Sequence, residues 1–518
     1  MLSTSECDHS RRWVGNRWIP AFAGMTDRSH ELGPQPVRTQ FVNHKSMARL
    51  RPRVHYLGMR LDGFGWALCG CLLMSFGCAH RSQSDLISDT GPEISVRRMR
   101  VAQHGIPPGP TFWNSVSELD VTAARAQAST MSERFFTDAL SSLVEGNVVG
   151  AEVLFHSLLA DPDPLVRGRA RIGLTVSLNA QGKWQDLAAL PPEIDVAGDT
   201  VGDMVDRAAV DSWAGVLRDV PPVIIDAPVV PDVLPVIGSS VGTPIIKVFI
   251  NGHERYFWVD TGATMSLLAS DVAAECGVVP LTKDTLAIAA AQGRIDARPA
   301  IASVVRIGRI TVRNLPVALL DPAALRLAKR LAYGRLVTVK LDGVIGSDVL
   351  RRLSVVLDMG AGTMSLARPA THAPRRRSLI WIGFPVVRLL TRDGKPVLFG
   401  LDTGADSTIV TDAWMDRTPD PGLSPAKGRI DALGATHASD LPVLRNVTVG
   451  DGEYILHLRN VPIVQERRQT FVALDGVLGS DVLAHATLRM DITNGMFSIR
   501  APGMGPLPND TAFVKVAK

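Results

Sequence analysis

Cysteine is scarce in this chain, with five among 518 residues: Cys7, Cys69, Cys71, Cys78 and Cys276. That number supports no disulfide framework, so stability must come from buried apolar cores. Metal-binding spacings are missing as well. The twelve histidines are scattered, with no His-Glu-x-x-His and no paired cysteines, so no metal site is indicated. No phosphate-cradling Walker loop and no dinucleotide fingerprint occur, and no cofactor is called for. The net charge of +4 is small, and no stretch mixes basic with aromatic residues as a nucleic-acid surface would. The apolar run Phe64–Ala79 is too short for a membrane span and has the length of an export-signal core.

What is present is ordinary globular composition, 46% apolar and 20% charged, with room for about three domains. Within it lies a long internal repeat. Asp260-Thr261-Gly262-Ala263 returns as Asp402-Thr403-Gly404-Ala405. Ahead of each is a hairpin signal, Asn251-Gly252 and Asp393-Gly394, and each of these glycines precedes its aspartate by eight residues. A two-residue type I′ turn needs positive φ at both positions, which Asn-Gly and Asp-Gly tolerate. Each aspartate therefore ends the second arm of a hairpin, with Phe257 and Val259, or Phe399 and Leu401, on the opposite face.

Downstream the match continues. Gly308 and Gly450 each follow their aspartate by 48 residues. Asn314-Leu-Pro-Val pairs with Asn460-Val-Pro-Ile, and Leu341-Asp-Gly-Val-Ile-Gly-Ser-Asp-Val-Leu with Leu474-Asp-Gly-Val-Leu-Gly-Ser-Asp-Val-Leu. Strand-like runs Ser354–Asp358 and Thr487–Asp491 close the units. The first unit carries an extra stretch, roughly 321–339, expected as an inserted helix or loop. A repeat this long is a duplicated domain rather than a solenoid period.

On these motifs each unit resembles a retropepsin-like aspartic protease lobe, and the resemblance covers about half the chain. It implies that Asp260 and Asp402 are the catalytic carboxylates. It also implies that Thr261 and Thr403 bond across the lobes, and that Val344-Ile345-Gly346 and Val477-Leu478-Gly479 pack beneath. Viral members dimerise; two lobes in one chain are similar to the pepsin arrangement. The resemblance implies a flap in each lobe, with candidate tips at Gln292-Gly293 and Gly434-Ala435, neither holding a tyrosine. Two carboxyls in contact cannot both ionise, so they share one proton and supply base and acid together. Gly262 and Gly404 allow a tight turn and direct amides at the carboxylates. Asp348 and Asp481 read as helix-start residues, Asp358 and Asp491 as strand-end caps, and Asp406 as a surface or substrate-rim residue.

The expected fold class is mainly β: two retropepsin-like β-barrel lobes forming a pepsin-like pseudo-dimer, preceded by a small all-α domain. The division is 1–80 irregular start and export segment, 81–114 linker, 115–216 helices, 217–240 linker, 241–370 lobe one, 371–380 linker, 381–503 lobe two and 504–518 tail. Helices are expected around Phe135–Val144, Ala151–Leu159 and Leu165–Leu178, with a fourth near Trp184. They weakly resemble tetratricopeptide-type pairs, which implies a possible protein partner; a small domain packed on the lobes is the other reading. Pro221–Gly242 reads as an extended linker, and Arg375-Arg376-Arg377 as a solvated one.

Near the start, Met59 and Arg60 lead into Phe64–Ala79, and Gly77-Cys78 resembles a bacterial lipoprotein cleavage site, making Cys78 the lipidation candidate. Ser75 stands where that pattern has leucine, so ordinary signal cleavage or an uncleaved anchor stays open. The resulting expectation is an exported, periplasmic or membrane-attached, monomeric endopeptidase acting on polypeptides, with no nucleic-acid partner. The alternatives are a silent bilobal peptide-binding protein, and lobes that pair between molecules.

Overall fold

Asn251 and Gly252 both take positive φ, 48° and 90°, and join strands Pro244–Ile250 and His253–Val259 in a two-residue hairpin. The second copy departs from this expectation. Only Gly394 has positive φ (82°), and the Thr391 amide donates to Lys395 O at 2.8 Å, so the loop holds three residues. Asp393 stays out of the left-handed region because its carboxylate accepts the Thr391 hydroxyl at 2.6 Å. The computed structural model describes residues 93–98, 111–191, 207–238, 242–290, 293–330, 336–370, 377–417, 422–428, 441–464 and 471–501.

Each repeat folds into a nine-stranded sheet; eight strands follow one another in matching orders, and the ninth, Ile237–Gly238 or Leu379–Trp381, pairs off that path. In lobe one the order is Ile224–Asp226, Ile310–Leu320, Ser266–Ala269, Gly343–Ile345, His253–Val259, Pro244–Ile250, Gly293–Ile307 and Leu286–Ala290. In lobe two it is Glu93–Arg98, Tyr454–Val464, Ile409–Thr411, Gly476–Leu478, Pro396–Leu401, Pro385–Thr391, Leu441–Gly450 and Leu423–Gly428. Pairing of Ile310–Leu320 with Gly293–Ile307, and of Tyr454–Val464 with Leu441–Gly450, closes each sheet into a barrel. Strands Ser354–Asp358 and Thr487–Asp491 then join the lobes, with Val355 opposite Met490 in one five-stranded sheet. The fold is therefore mainly β, with two retropepsin-like barrel lobes in a pepsin-like pseudo-dimer. Fully buried Trp258, Phe399, Leu357 and Leu488 lie among its core side chains.

The linkers do more than connect. Glu93–Arg98, inside the expected 81–114 linker, is an edge strand of lobe two. Within Pro221–Gly242, Ile224–Asp226 takes the matching edge of lobe one, and Asp232–Pro235 borders the sheet between the lobes. The insert expected as a helix or loop is a β-hairpin, Arg326–Arg330 with Leu336–Lys340; the β-branched residues of Val337-Thr338-Val339 favour that form. Arg377 is also held rather than solvated, donating to the carbonyls of Ile492 and Thr493 at 3.1 and 2.9 Å.

Between the two edge strands sits the helical region: Phe112–Ser117, Val121–Gln127, Met131–Val144, Val148–Ser157, Pro164–Gln181, Trp184–Ala188 and Arg207–Leu217. Local chemistry sets its boundaries. Thr130 and Glu133 form a capping box, Asn147 and Asp163 cap the next two long helices, and Gly182 at φ 70° ends the last of these. The region is welded to both lobes. Phe471 of lobe two is 1% exposed and meets Phe136 and Phe155 at ring distances of 5.7 and 6.4 Å. Arg351 of lobe one donates to the carbonyls of Ala180 and Asn179 at a helix C-terminus and lies 5.6 Å above Trp381.

Candidate active site

Strands His253–Val259 and Pro396–Leu401 end at Asp260 and Asp402. Beneath each runs the short apolar strand of the Gly-Ser-Asp segment, parallel to it. The Asp260 amide donates to Ile345 O at 3.0 Å, and the Asp402 amide to Leu478 O at 2.9 Å. Each aspartate is thus fixed by the backbone of its own lobe before its side chain is considered.

The loops that follow turn back on their carboxylates. Gly262 and Ala263 amides donate to Asp260 Oδ1 at 2.8 and 3.1 Å, and Gly404 and Ala405 amides to Asp402 Oδ1 at 2.9 and 3.0 Å. Across the lobe boundary, the Thr261 amide donates to Thr403 Oγ1 at 3.1 Å, and the Thr403 amide to Thr261 Oγ1 at 3.0 Å. The hydroxyls donate onward to Leu401 O and Val259 O, each at 2.7 Å. Both threonines are fully buried. A Cβ on Gly262 would collide with the carboxyl of Asp402, and one on Gly404 with that of Asp260. Glycine is required there so that the opposite carboxyl can approach.

The two carboxyls are hydrogen-bonded to one another. Burial pushes both above the ordinary carboxylate range, and the facing charge of Asp402 pushes Asp260 further. The backbone amides of the two loops oppose this rise without cancelling it. An acid and a base facing one another are what the arrangement can offer.

Asp348 and Asp481 do more than begin helices. Each lies in the first turn, but neither is the cap; Gly346 and Gly479 occupy that position. Asp348 accepts the Ser266 amide and hydroxyl at 3.0 and 2.8 Å, and Asp481 those of Thr408, both at 2.7 Å. These bonds lash the supporting turn to the strand leaving each Asp-Thr-Gly. Burial raises both carboxyls, Asp481 to about 6, with nearby Asp406 adding to the effect. Asp406 itself is buried at 9% exposure, not a rim residue, because the chain turns inward through Ser407 and Thr408. Asp358 and Asp491 cap turns as expected, accepting the amides of Ala361 and Asn494.

Of the flap residues, Gly293 opens a strand and pairs with Ala290. Gln292, Gly434 and Ala435 lie outside the described residues, as does Cys78. Sequence reasoning missed Ser266 and Thr408. The signal was present, since a hydroxyl side chain follows each aspartate by six residues. Among the described residues no cluster of ligating side chains could hold a metal ion.

None of the curated proteins matches the chain. Its structure is similar to the crystal structure of an aspartic proteinase from Irpex lacteus, at 13% identity and TM-score 0.33, over 53% of this chain and 98% of that one. It is also similar to a retropepsin-like aspartic protease from Rickettsia conorii, at 20% identity and TM-score 0.18, over 28% of this chain and 93% of that one. Residues 246–352, which include Asp260, match the family model described as gag-polyprotein putative aspartyl protease.

Proposed function

We propose that the protein is an aspartic endopeptidase in which Asp260 and Asp402 share one proton and activate a water against a peptide carbonyl. The unprotonated carboxyl takes a proton from water while the protonated one polarises the carbonyl oxygen. No covalent intermediate with the protein is involved. Support comes chiefly from the reciprocal Thr261–Thr403 bonding, which brings two enclosed carboxyls into hydrogen-bond contact. Substrate is a polypeptide, and the dyad forms within one chain, so the working species is a monomer. Export, with Cys78 as a lipid-bearing residue, is proposed on the character of Phe64–Ala79 alone. A protein partner for the helical region is proposed on its tetratricopeptide-like pattern alone.

The decisive experiment follows hydrolysis of an unfolded protein between pH 4 and 7. Asp260→Asn and Asp402→Asn should each lower the rate by about 10²–10⁴-fold with the fold intact. Full activity in either variant would sink the shared dyad. An inactive wild type that binds peptides would favour a silent binding protein.

A further inference from the structure

The hairpin of strands Leu286–Ala290 and Gly293–Ile307 leaves the barrel of lobe one part-way along. Ala297 has two strand neighbours, Leu286 on one side and Leu320 on the other. Beyond it, among the described residues, Gly293–Asp296 pair only with Ala287–Ala290, and Leu286–Ala290 is the edge of the sheet. The outer part is therefore a two-stranded ribbon, and such a ribbon is marginal by itself in water. Its stiffness depends on whatever holds its base.

Helix Arg207–Leu217 holds it. The Trp213 indole N–H donates to Ala287 O at 3.0 Å, at the first residue pair of the ribbon, Ala287 opposite Asp296. Trp213 is only 5% exposed, and Ala214 and Leu217 of the same helix are fully buried, so the donor is fixed rather than swinging in solvent. The bond fills a carbonyl on a strand that is the edge of its sheet among the described residues. In lobe two the corresponding ribbon, Lys427-Gly428 with Leu441-Pro442, follows a register shift between Ser424 and Lys427. The two hairpins are thus built differently within an otherwise matched pair of barrels.

We infer that Trp213 is a positioning residue: through Ala287 it sets the stiffness of the lobe-one hairpin, which carries the flap candidate Gly293, and so how firmly a polypeptide is held. The consequence for substrate rests on the proteolytic reading above; the grip on the hairpin does not. The helical region is then part of the substrate-holding apparatus, packed on the hairpin and tied to it by the Trp213 indole hydrogen bond.

Trp213→Phe in the full chain tests this, because it keeps an aromatic ring in place and removes the donor. Amide hydrogen exchange over 286–297 should quicken by about 2- to 10-fold, the range one net hydrogen bond supports. Exchange over 441–464 and the melting temperature, which report the fold as a whole, should hold. With a peptide substrate KM should rise about 3- to 10-fold with kcat within about twofold, since ground-state holding and not chemistry has changed. Unchanged exchange over 286–297 would overturn the grip. Faster exchange with unchanged KM would overturn the link to substrate. A wild type without peptidase activity would end the proteolytic reading, and the exchange comparison would still decide the grip.

Discussion

Thr261 and Thr403 are mirror partners: each accepts the other's backbone amide on its hydroxyl and donates that hydroxyl to the carbonyl just before the other's aspartate. The four bonds lie in a fully buried seam between the lobes, which a strand pair also joins. Removing one hydroxyl therefore strands an amide and a carbonyl of the opposite lobe.

Thr261→Val should cost about 1–3 kcal/mol for each buried group left unpaired. Thr261→Ser, which keeps both bonds, should cost far less. Denaturant unfolding of the two variants checks this, and equal loss in both would show that the methyl and not the hydroxyl matters.

Asp260 and Asp402 both have carboxyls raised by burial, so the pair holds its shared proton at a pH where free carboxylates have lost theirs. Peptide hydrolysis should accordingly persist above the ordinary carboxylate range and fall as the pH rises far enough to strip that proton. A profile of kcat/KM from pH 3 to 8 measures it. A basic limb at the ordinary carboxylate value would mean the pair is open to solvent.

Asp481 carries a pH signature in stability. Its folded value is raised to about 6, so between the unfolded value near 3.8 and about 6 the folded state binds more proton than the unfolded chain. Stability from this group is present at low pH and is lost as the pH climbs through that window. In Asp481→Asn the window should flatten. The same change turns an amide nitrogen toward the Thr408 amide or hydroxyl, so the variant should also be less stable at every pH. Melts at pH 4, 5, 6 and 7 on both proteins check slope and offset together.

Phe471 seats the helical region on lobe two. Phe471→Ala leaves a cavity against Phe136 and Phe155 and should cost about 3–5 kcal/mol. Because Ala473 also donates to Ser117 O, the helical region should loosen before the barrels do. Exchange over 131–157 should quicken more than over 253–259.

Residues that act through local chemistry were legible in the chain. Asn251-Gly252 makes its two-residue turn, and the alternation in each repeat predicts the strands that end at Asp260 and Asp402. Where a second segment decides the outcome, sequence reasoning fell short. Asp393-Gly394 has the same turn signal, but the Thr391 hydroxyl captures the Asp393 carboxylate and a longer loop forms. Asp406 looks like a rim residue until the inward course of Ser407 and Thr408 buries it. Asp348 has the position of a helix-start residue, and only folding shows its carboxylate on Ser266.

By itself the sequence determined that two hairpins stand at corresponding places in the repeat, that each delivers an aspartate at its end, and that each has its own glycine-bearing support. Those are properties of periodicity and turn chemistry, which act over a few residues. Tertiary structure alone decided that the two ends meet. It placed Thr261 within bonding distance of Thr403, 142 positions apart, and set Trp213 on Ala287, 74 positions away. Contacts at that separation depend on how whole faces pack, and no local pattern encodes them.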